Sequence, residues 1–419
     1  MDASESRALE AIEMPALLET IGELVAIESC HGQEVAVQRK MAELLREMGM
    51  TVDEWDIDLE ALGKHPAFGA EIERDHAVGV VGTWGSGQGP TLILNGHVDV
   101  VPAGDLSRWT VPPFQATVRQ ARVYGRGAVD MKGPLCCALE AVRAIQRSGV
   151  TLNGTVMIQS VVGEEDGGLG TLATIERGHR GDAAIILEPT ELMIAPAQAG
   201  ALSFRITIPG LAAHGALRTE GVNPLECLPG ILYALEELES ERCARLAHPL
   251  FADYEVPYAI CIGKVHSGIW ASTVPETLVL EGRYGVGIGE DLDAARAELE
   301  DAIETAAAED DWLTEHPPVV EWWGARFEPA AIAQDHPLVT TLSGALESVT
   351  REPPVIRGMP YGADMHLLVN QGGTPTVLFG PGDVRVAHAP DEFVPIAELE
   401  TATRALVLAI LRYCGVAGG

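Results

Sequence analysis

A histidine and an aspartate two residues apart close the run Thr91-Leu92-Ile93-Leu94-Asn95-Gly96-His97-Val98-Asp99. An extended backbone points both side chains the same way. A histidine that binds a metal usually hands its second ring N–H to a carboxylate or carbonyl, and Asp99 stands where it can help shape such a site. Alone, His-x-Asp at a strand end fits an ordinary surface pair as well. The acids and histidines further along favour the metal. Asp130 lies in a glycine-punctuated loop, Glu164 and Glu165 follow one apolar run, Glu188 follows another, and His388 sits in a late loop. His97, Asp130, Glu165, Glu188 and His388 offer oxygen and imidazole donors without a thiolate, a set suited to Zn²⁺, Co²⁺ or Mn²⁺. Five ligands, one able to bridge, suffice for two metals sharing a water. A spare carboxylate must then take the water's proton and pass it to a leaving amine. Glu164 and Glu165 are neighbours in a tight loop, so one can face metal and the other water.

The elements that must position these groups follow from periodicity. Residues 14–29 and 34–49 have helical spacing, and Thr51 to Ile57 reads as a strand. Residues 58–76 are irregular. Val78 to Trp84 and Leu92 to Leu94 read as neighbouring strands, Pro134 to Arg147 as an amphipathic helix, and 155–162 and 183–187 as β-rich runs. Strands alternating with helices predict an α/β layer with a mostly parallel sheet, whose sites collect at the carboxyl ends of strands. From about 198 the pattern changes. Strands at 202–208, 258–265, 274–284 and 319–323 with helices at 223–239 and 291–308 make the order βαββαβ, the ferredoxin-like α+β plan. The expectation is a two-domain protein, with a catalytic domain of residues 1–197 and 328–419 and an inserted lid of 198–327. The catalytic domain resumes with a helix at 337–349, a strand at 376–379 and a final helix at 396–413.

Composition narrows the class. The chain has 419 residues, 47% of them hydrophobic, and a formal net charge of −33. Nucleic acid is an improbable partner without a basic footprint. No apolar run has the length of a membrane span, and the acidic start lacks the features of a signal peptide. Seven cysteines without a Cys-x-x-Cys pair argue against a disulfide framework and for a reducing cytoplasm. Lysine stands only at 40, 64, 132 and 264, so arginine-rich coding and adaptation to high salt both remain open.

With these residues in view, the chain resembles the M20 family of metallopeptidases and deacylases along essentially its whole length. Five motifs fall in the family's order: Gly96 to Pro102, Gly125-Arg126-Gly127 through Asp130-Met131-Lys132-Gly133, Glu164-Glu165, Glu188-Pro189, and Ala387-His388-Ala389-Pro390-Asp391-Glu392. The resemblance implies that Asp130 bridges two metals, with His97 and Glu188 completing one sphere and Glu165 and His388 the other. It makes Glu164 the general base and then acid, has Asp99 orient His97, and places a cis peptide at Asp130–Met131. His214, in Gly210-Leu211-Ala212-Ala213-His214-Gly215, resembles the lid histidine that helps hold the scissile carbonyl oxygen and, in dimeric members, reaches the neighbour's site.

Two positions depart from the family. The lid Asn is Ser272, and ten residues after Pro275 stands Gly285 where many members have a carboxylate-binding arginine. Arg283, two residues earlier on the same strand face, is the candidate substitute. The implied activity is a di-metal amide hydrolase, an N-acyl-amino-acid deacylase using Zn²⁺ (or Co²⁺ or Mn²⁺). The alternatives are a dipeptidase or carboxypeptidase on short peptides, and a metal-binding protein without turnover, against which the retained Glu164 argues. A homodimer through the lid is compatible with the plan. Asn223 fits a helix N-cap, Asp364 and His366 fall in a segment that lines the family's substrate pocket, and Trp109, Trp270, Trp322 and Trp323 read as packing residues, with Trp270 also placed to line the pocket. His31, His65, His76, His179, His248, His266, His316 and His336 have no ligand-like spacing.

Overall fold

The computed structural model describes residues 1–30 and 32–417, so His31 lies outside the described residues. The chain divides into two compact units, one of Met1–Ala197, Ala331–Arg357 and Ala363–Gly419, the other of Gln198–Ala330 and Gly358–Gly362.

The first unit is built on a six-stranded sheet in the order Thr51–Asp56, Val78–Gly85, Thr155–Val161, Thr91–His97, Ala183–Ile186 and Thr376–Leu378. The first two pairings are antiparallel and the other three parallel. Parallel strands covered on both faces carry near-continuous apolar sequence, and every residue of Thr155–Val161 is buried. Polar groups buried at this seam bond one another: Asn95 Nδ2, on the neighbouring strand, donates to Gln159 Oε1 and to Thr171 Oγ1, each at 3.1 Å. Helices Lys132–Arg147 and Ile396–Cys414 pack on each other and on Thr91–His97, and Val35–Glu47 packs on Val78–Gly85. Lys132 is fully buried, its ammonium donating to the carbonyls of Leu24 at 3.1 Å and Ile27 at 2.8 Å; burial pulls its pKa down to about 8.

The second unit carries a four-stranded antiparallel sheet in the order Ile260–Ser267, Thr277–Val286, Gly200–Pro209, Val319–Phe327. Helices Pro224–Arg245 and Leu292–Ala307 lay Ile231, Leu235, Leu299 and Ile303 against Phe204, Ile206, Leu278 and Leu280. The strand order is the one a ferredoxin-like βαββαβ chain produces, with its first and third strands central. Asn223 caps the first helix, its Oδ1 accepting the Leu225 N–H at 3.1 Å. Trp270 corrects one expectation: it is 72% exposed, beside a fully exposed Ile269, and is not a packing residue. The seven cysteines are free thiols. Among the described residues no helix is long and apolar enough to cross a membrane.

Candidate active site

Three adjacent parallel strands deliver four of the candidate groups. His97 ends Thr91–His97, Glu164 and Glu165 follow Thr155–Val161, and Glu188 follows Ala183–Ile186. The other two come from loops. Asp130 closes a turn whose Gly127 has φ +83°, where a Cβ would meet Val100 Cγ1 at 2.9 Å, and the Asp130–Met131 peptide is cis. His388 has a left-handed backbone, φ 58°. These two loops are tied by Glu392. Its Oε1 accepts the N–H groups of Val129 at 2.9 Å and Asp130 at 3.2 Å, while Oε2 meets Arg126 Nη1 at 2.5 Å. Burial pushes the Glu392 carboxyl up to about 7 against the pull of Arg126.

Asp130 sits between the two histidines. Its Oδ1 lies 3.0 Å from His97 Nε2 and its Oδ2 3.4 Å from His388 Nε2. Glu165 approaches His388 Nε2 at 3.0 Å. Glu164 and Glu188 each stand 3.9 Å from His97 Nε2. Two groups could therefore hold a cation, His97 with Glu164 and Glu188, and His97 with Asp130 and Glu165. Distance alone does not separate Glu164 from Glu188 as ligand. His97 Nδ1 is held by the backbone carbonyl of Asp99 at 2.9 Å, and the Asp99 carboxylate is at 3.7 Å. That carboxylate instead accepts the Glu165 N–H at 3.1 Å, so Asp99 steadies two candidate ligands by two different atoms.

The electrostatics describe a site short of positive charge. Burial, then repulsion from Glu188, drives Glu164 well above the usual carboxylate range; burial, then Asp130, does the same to Glu188. Glu165 is raised for the same reasons as Glu188. Burial would lower His97, but its hydrogen bond to Asp130 and the surrounding carboxylates raise it. Hydrogen bonds to Asp130 and Glu165 hold His388 up to about 10 although the ring is half exposed. Asp130 itself, which burial would raise, is kept below the carboxylate range by the two histidines. Glu188 Oε1 and Asp99 Oδ1 are buried and accept no hydrogen bond among the described residues. Hard oxygen and imidazole donors, clustered acids and orphaned carboxylate oxygens fit divalent cations.

Asp364 is fully buried, its Oδ2 accepting the Thr171 hydroxyl at 2.5 Å, and burial lifts it to about 7. It adds to the repulsion felt by Glu164 and Glu188. His366 is buried as well. Among the described residues, none of the histidines without ligand-like spacing joins a metal-type group. His179 instead pairs with Asp53 at 2.9 Å, and His336 caps the helix Pro337–Thr350.

The remaining candidates belong to the second unit. His214 is exposed, pairs across a short bridge with Thr273, and accepts the Ala216 N–H at 3.1 Å through Nδ1. Ser272 is exposed, its carbonyl accepting the Gly215 N–H at 2.7 Å. Arg283 spends its guanidinium on the backbone, donating to the Pro360 carbonyl at 2.9 Å and the Ala259 carbonyl at 3.5 Å. At Gly285 a Cβ would fall 2.6–2.9 Å from the Tyr258–Ala259 backbone, so no larger residue fits there without a shift. Sequence reasoning missed Arg74 and Asp166, which pair at 2.7 Å beside the Glu164–Glu165 loop. Glu392 stands in the motif of His388, and an acid four residues after a candidate histidine is a usable signal for its tether.

The chain is similar in sequence and fold to known proteins. The sequence pattern of peptidase family M20/M25/M40 matches residues 93–412. N-formyl-4-amino-5-aminomethyl-2-methylpyrimidine deformylase of Bacillus subtilis (strain 168) is 29% identical over 402 residues, covering 90% of this chain and 89% of its own. Acetylornithine deacetylase of Vibrio atlanticus (strain LGP32) is 26% identical over 422 residues, covering 96% of this chain and 100% of its own. A dipeptidase structure from Saccharomyces cerevisiae shares the fold with a TM-score of 0.79 at 16% identity, covering 99% of each chain.

Proposed function

The chain belongs to peptidase family M20/M25/M40 and is a hydrolase of amide bonds, and from that premise we propose that it is an N-acyl deacylase, acting on an N-acylated amino acid or related amine. The observation that carries the reading is Asp130 presenting one oxygen to each of two histidines, with buried Glu164 and Glu188 and partly buried Glu165 around them. His97, Asp130 and Glu188 would hold one cation and Asp130, Glu165 and His388 the other, Zn²⁺ by preference. Two such ions would supply Lewis acidity, to acidify a water and polarise the scissile carbonyl. Glu164 then has the proton work: its carboxylate takes the proton of the attacking water and returns it to the nitrogen as the C–N bond breaks. Asp99 holds the ring of His97 and the backbone of Glu165. His214, with Ser272 beside it, is assigned to the carbonyl oxygen. Arg283 is assigned to a substrate carboxylate, a task for which it must release a backbone carbonyl. The names of the full-length relatives, a deformylase and a deacetylase, favour acyl removal over peptide cleavage.

The test is amine release from N-formyl, N-acetyl and N-succinyl amino acids, an N-formyl aminomethylpyrimidine and unblocked dipeptides. Each runs with EDTA and after Zn²⁺ or Co²⁺ is restored. Chelator-sensitive release from an N-acyl substrate supports the reading, whereas release from dipeptides alone replaces it with a peptidase.

A further inference from the structure

The loop bearing Glu164 and Glu165 is fastened by a residue that no motif marks and that lies outside the family-matched residues 93–412. Between Val161 and the helix Leu169–Glu176 the backbone takes positive φ at Gly163, Gly167 and Gly168. Such a segment has much conformational freedom to lose. Asp166 anchors it. Its Oδ1 and Oδ2 receive Arg74 Nη2 at 2.7 Å and Nη1 at 2.8 Å, a two-pronged fork. Oδ2 also accepts the N–H groups of Ile72 at 3.0 Å and Glu71 at 3.2 Å. At Gly167 a Cβ would fall 2.3 Å from the Gly69 carbonyl oxygen, so the 66–74 segment lies directly against the loop.

The five N–H donors of Arg74 are all used. Nε and Nη2 reach Glu34 Oε1 at 3.2 and 2.9 Å, Nη1 reaches the Ile72 carbonyl at 3.3 Å, and the rest go to Asp166. The side chains of Arg74, Glu34 and Asp166 are 3%, 2% and 7% exposed. A buried charge pair stabilises a fold weakly on balance but fixes one geometry. What this fork fixes is a peptide bonded directly to Glu165.

We propose that Arg74, acting through Asp166 and itself aimed by Glu34, is a positioning residue that sets the Glu164–Glu165 loop for metal binding and proton transfer. The proposal rests on the roles given above to Glu164 and Glu165. Its test reads metal binding without substrate, so failure of the deacylase reading leaves it intact. Co²⁺ is titrated into the metal-free full-length chain and followed by visible absorption and calorimetry, with urea unfolding in parallel. Arg74→Lys keeps the charge and loses the fork. One of the two Co²⁺ sites should weaken roughly 10–100-fold, the range for groups that support ligands, and the other should hold. In Arg74→Ala, millimolar methylguanidinium should restore the weakened site, and ethylammonium should not. Asp166→Asn should reproduce the Arg74→Lys loss, and carries the test if Arg74→Lys does not fold. Wild-type affinity at both sites overturns the proposal. So does equal loss at both that follows the unfolding midpoint and is not rescued, which would make Arg74 a fold residue only.

Discussion

Glu392→Gln would expose what holds the Asp130 turn in place. The carboxylate is fully buried; one oxygen serves the Val129 and Asp130 N–H groups and the other meets Arg126. Glutamine keeps an acceptor for the two backbone donors but turns an NH₂ toward the guanidinium, leaving Arg126 a buried cation facing a donor. Breaking one side of a buried pair costs about 3–5 kcal/mol. Arg126 keeps its bond to the Pro102 carbonyl at 3.2 Å and its place 5.3 Å from the Trp109 ring, which offset roughly 1 kcal/mol. A loss of about 2–4 kcal/mol is therefore expected, read by urea unfolding of the metal-free chain near pH 8, above the value of about 7 at which Glu392 ionises. Adding Arg126→Met should recover at least half of it, because the cation is gone and the backbone donors are still met. A single-variant loss below about 1 kcal/mol, or a double variant less stable than the single, would refute the reasoning.

Glu164→Gln should abolish turnover with both metals retained, measured by metal analysis beside an amine-release assay; loss of one metal would make Glu164 a ligand in the group it forms with His97 and Glu188. His388→Ala should halve the bound metal, and unchanged stoichiometry would remove it from the site. Because His388 is held up to about 10 and must be neutral to ligate, Co²⁺ affinity should rise with pH, about tenfold per unit for each proton displaced between about pH 6 and 8. Proton release during the titration checks this, and a flat profile contradicts it.

The strands were legible because they are extreme. Thr155–Val161 and Ala183–Ile186 are buried along their length and are followed within three residues by acids, so periodicity and chemistry marked neighbouring positions. The helix Leu169–Glu176 was not legible: all but its last residue is buried, leaving no polar face to set a period, and Gly168 starts it without a side-chain cap. The helix Ala3–Glu10 did carry a signal, the capping box of Asp2 and Glu5, which periodicity overlooked. Arg74 had no local sign, because its two carboxylate partners lie 40 and 92 residues away. Trp270 shows the opposite error, an aromatic taken for packing that the fold leaves in solvent. The segment Gly358–Gly362 joins the second unit although its neighbours in sequence belong to the first, a partition that only tertiary contacts reveal.

The scattered origin of the site sets a timetable for its birth on the ribosome. Glu165 and His388, 223 residues apart, must meet, and Arg126 waits 266 residues for Glu392. The second unit, with its own core, is translated entirely in between and can fold as it emerges. The half-built first unit must meanwhile stay unaggregated, its strand Ala183–Ile186 lacking the neighbour that Thr376–Leu378 later supplies. A stall or truncation before that strand would leave this edge open, so incomplete chains should depend on chaperones and proteases far more than the finished protein does.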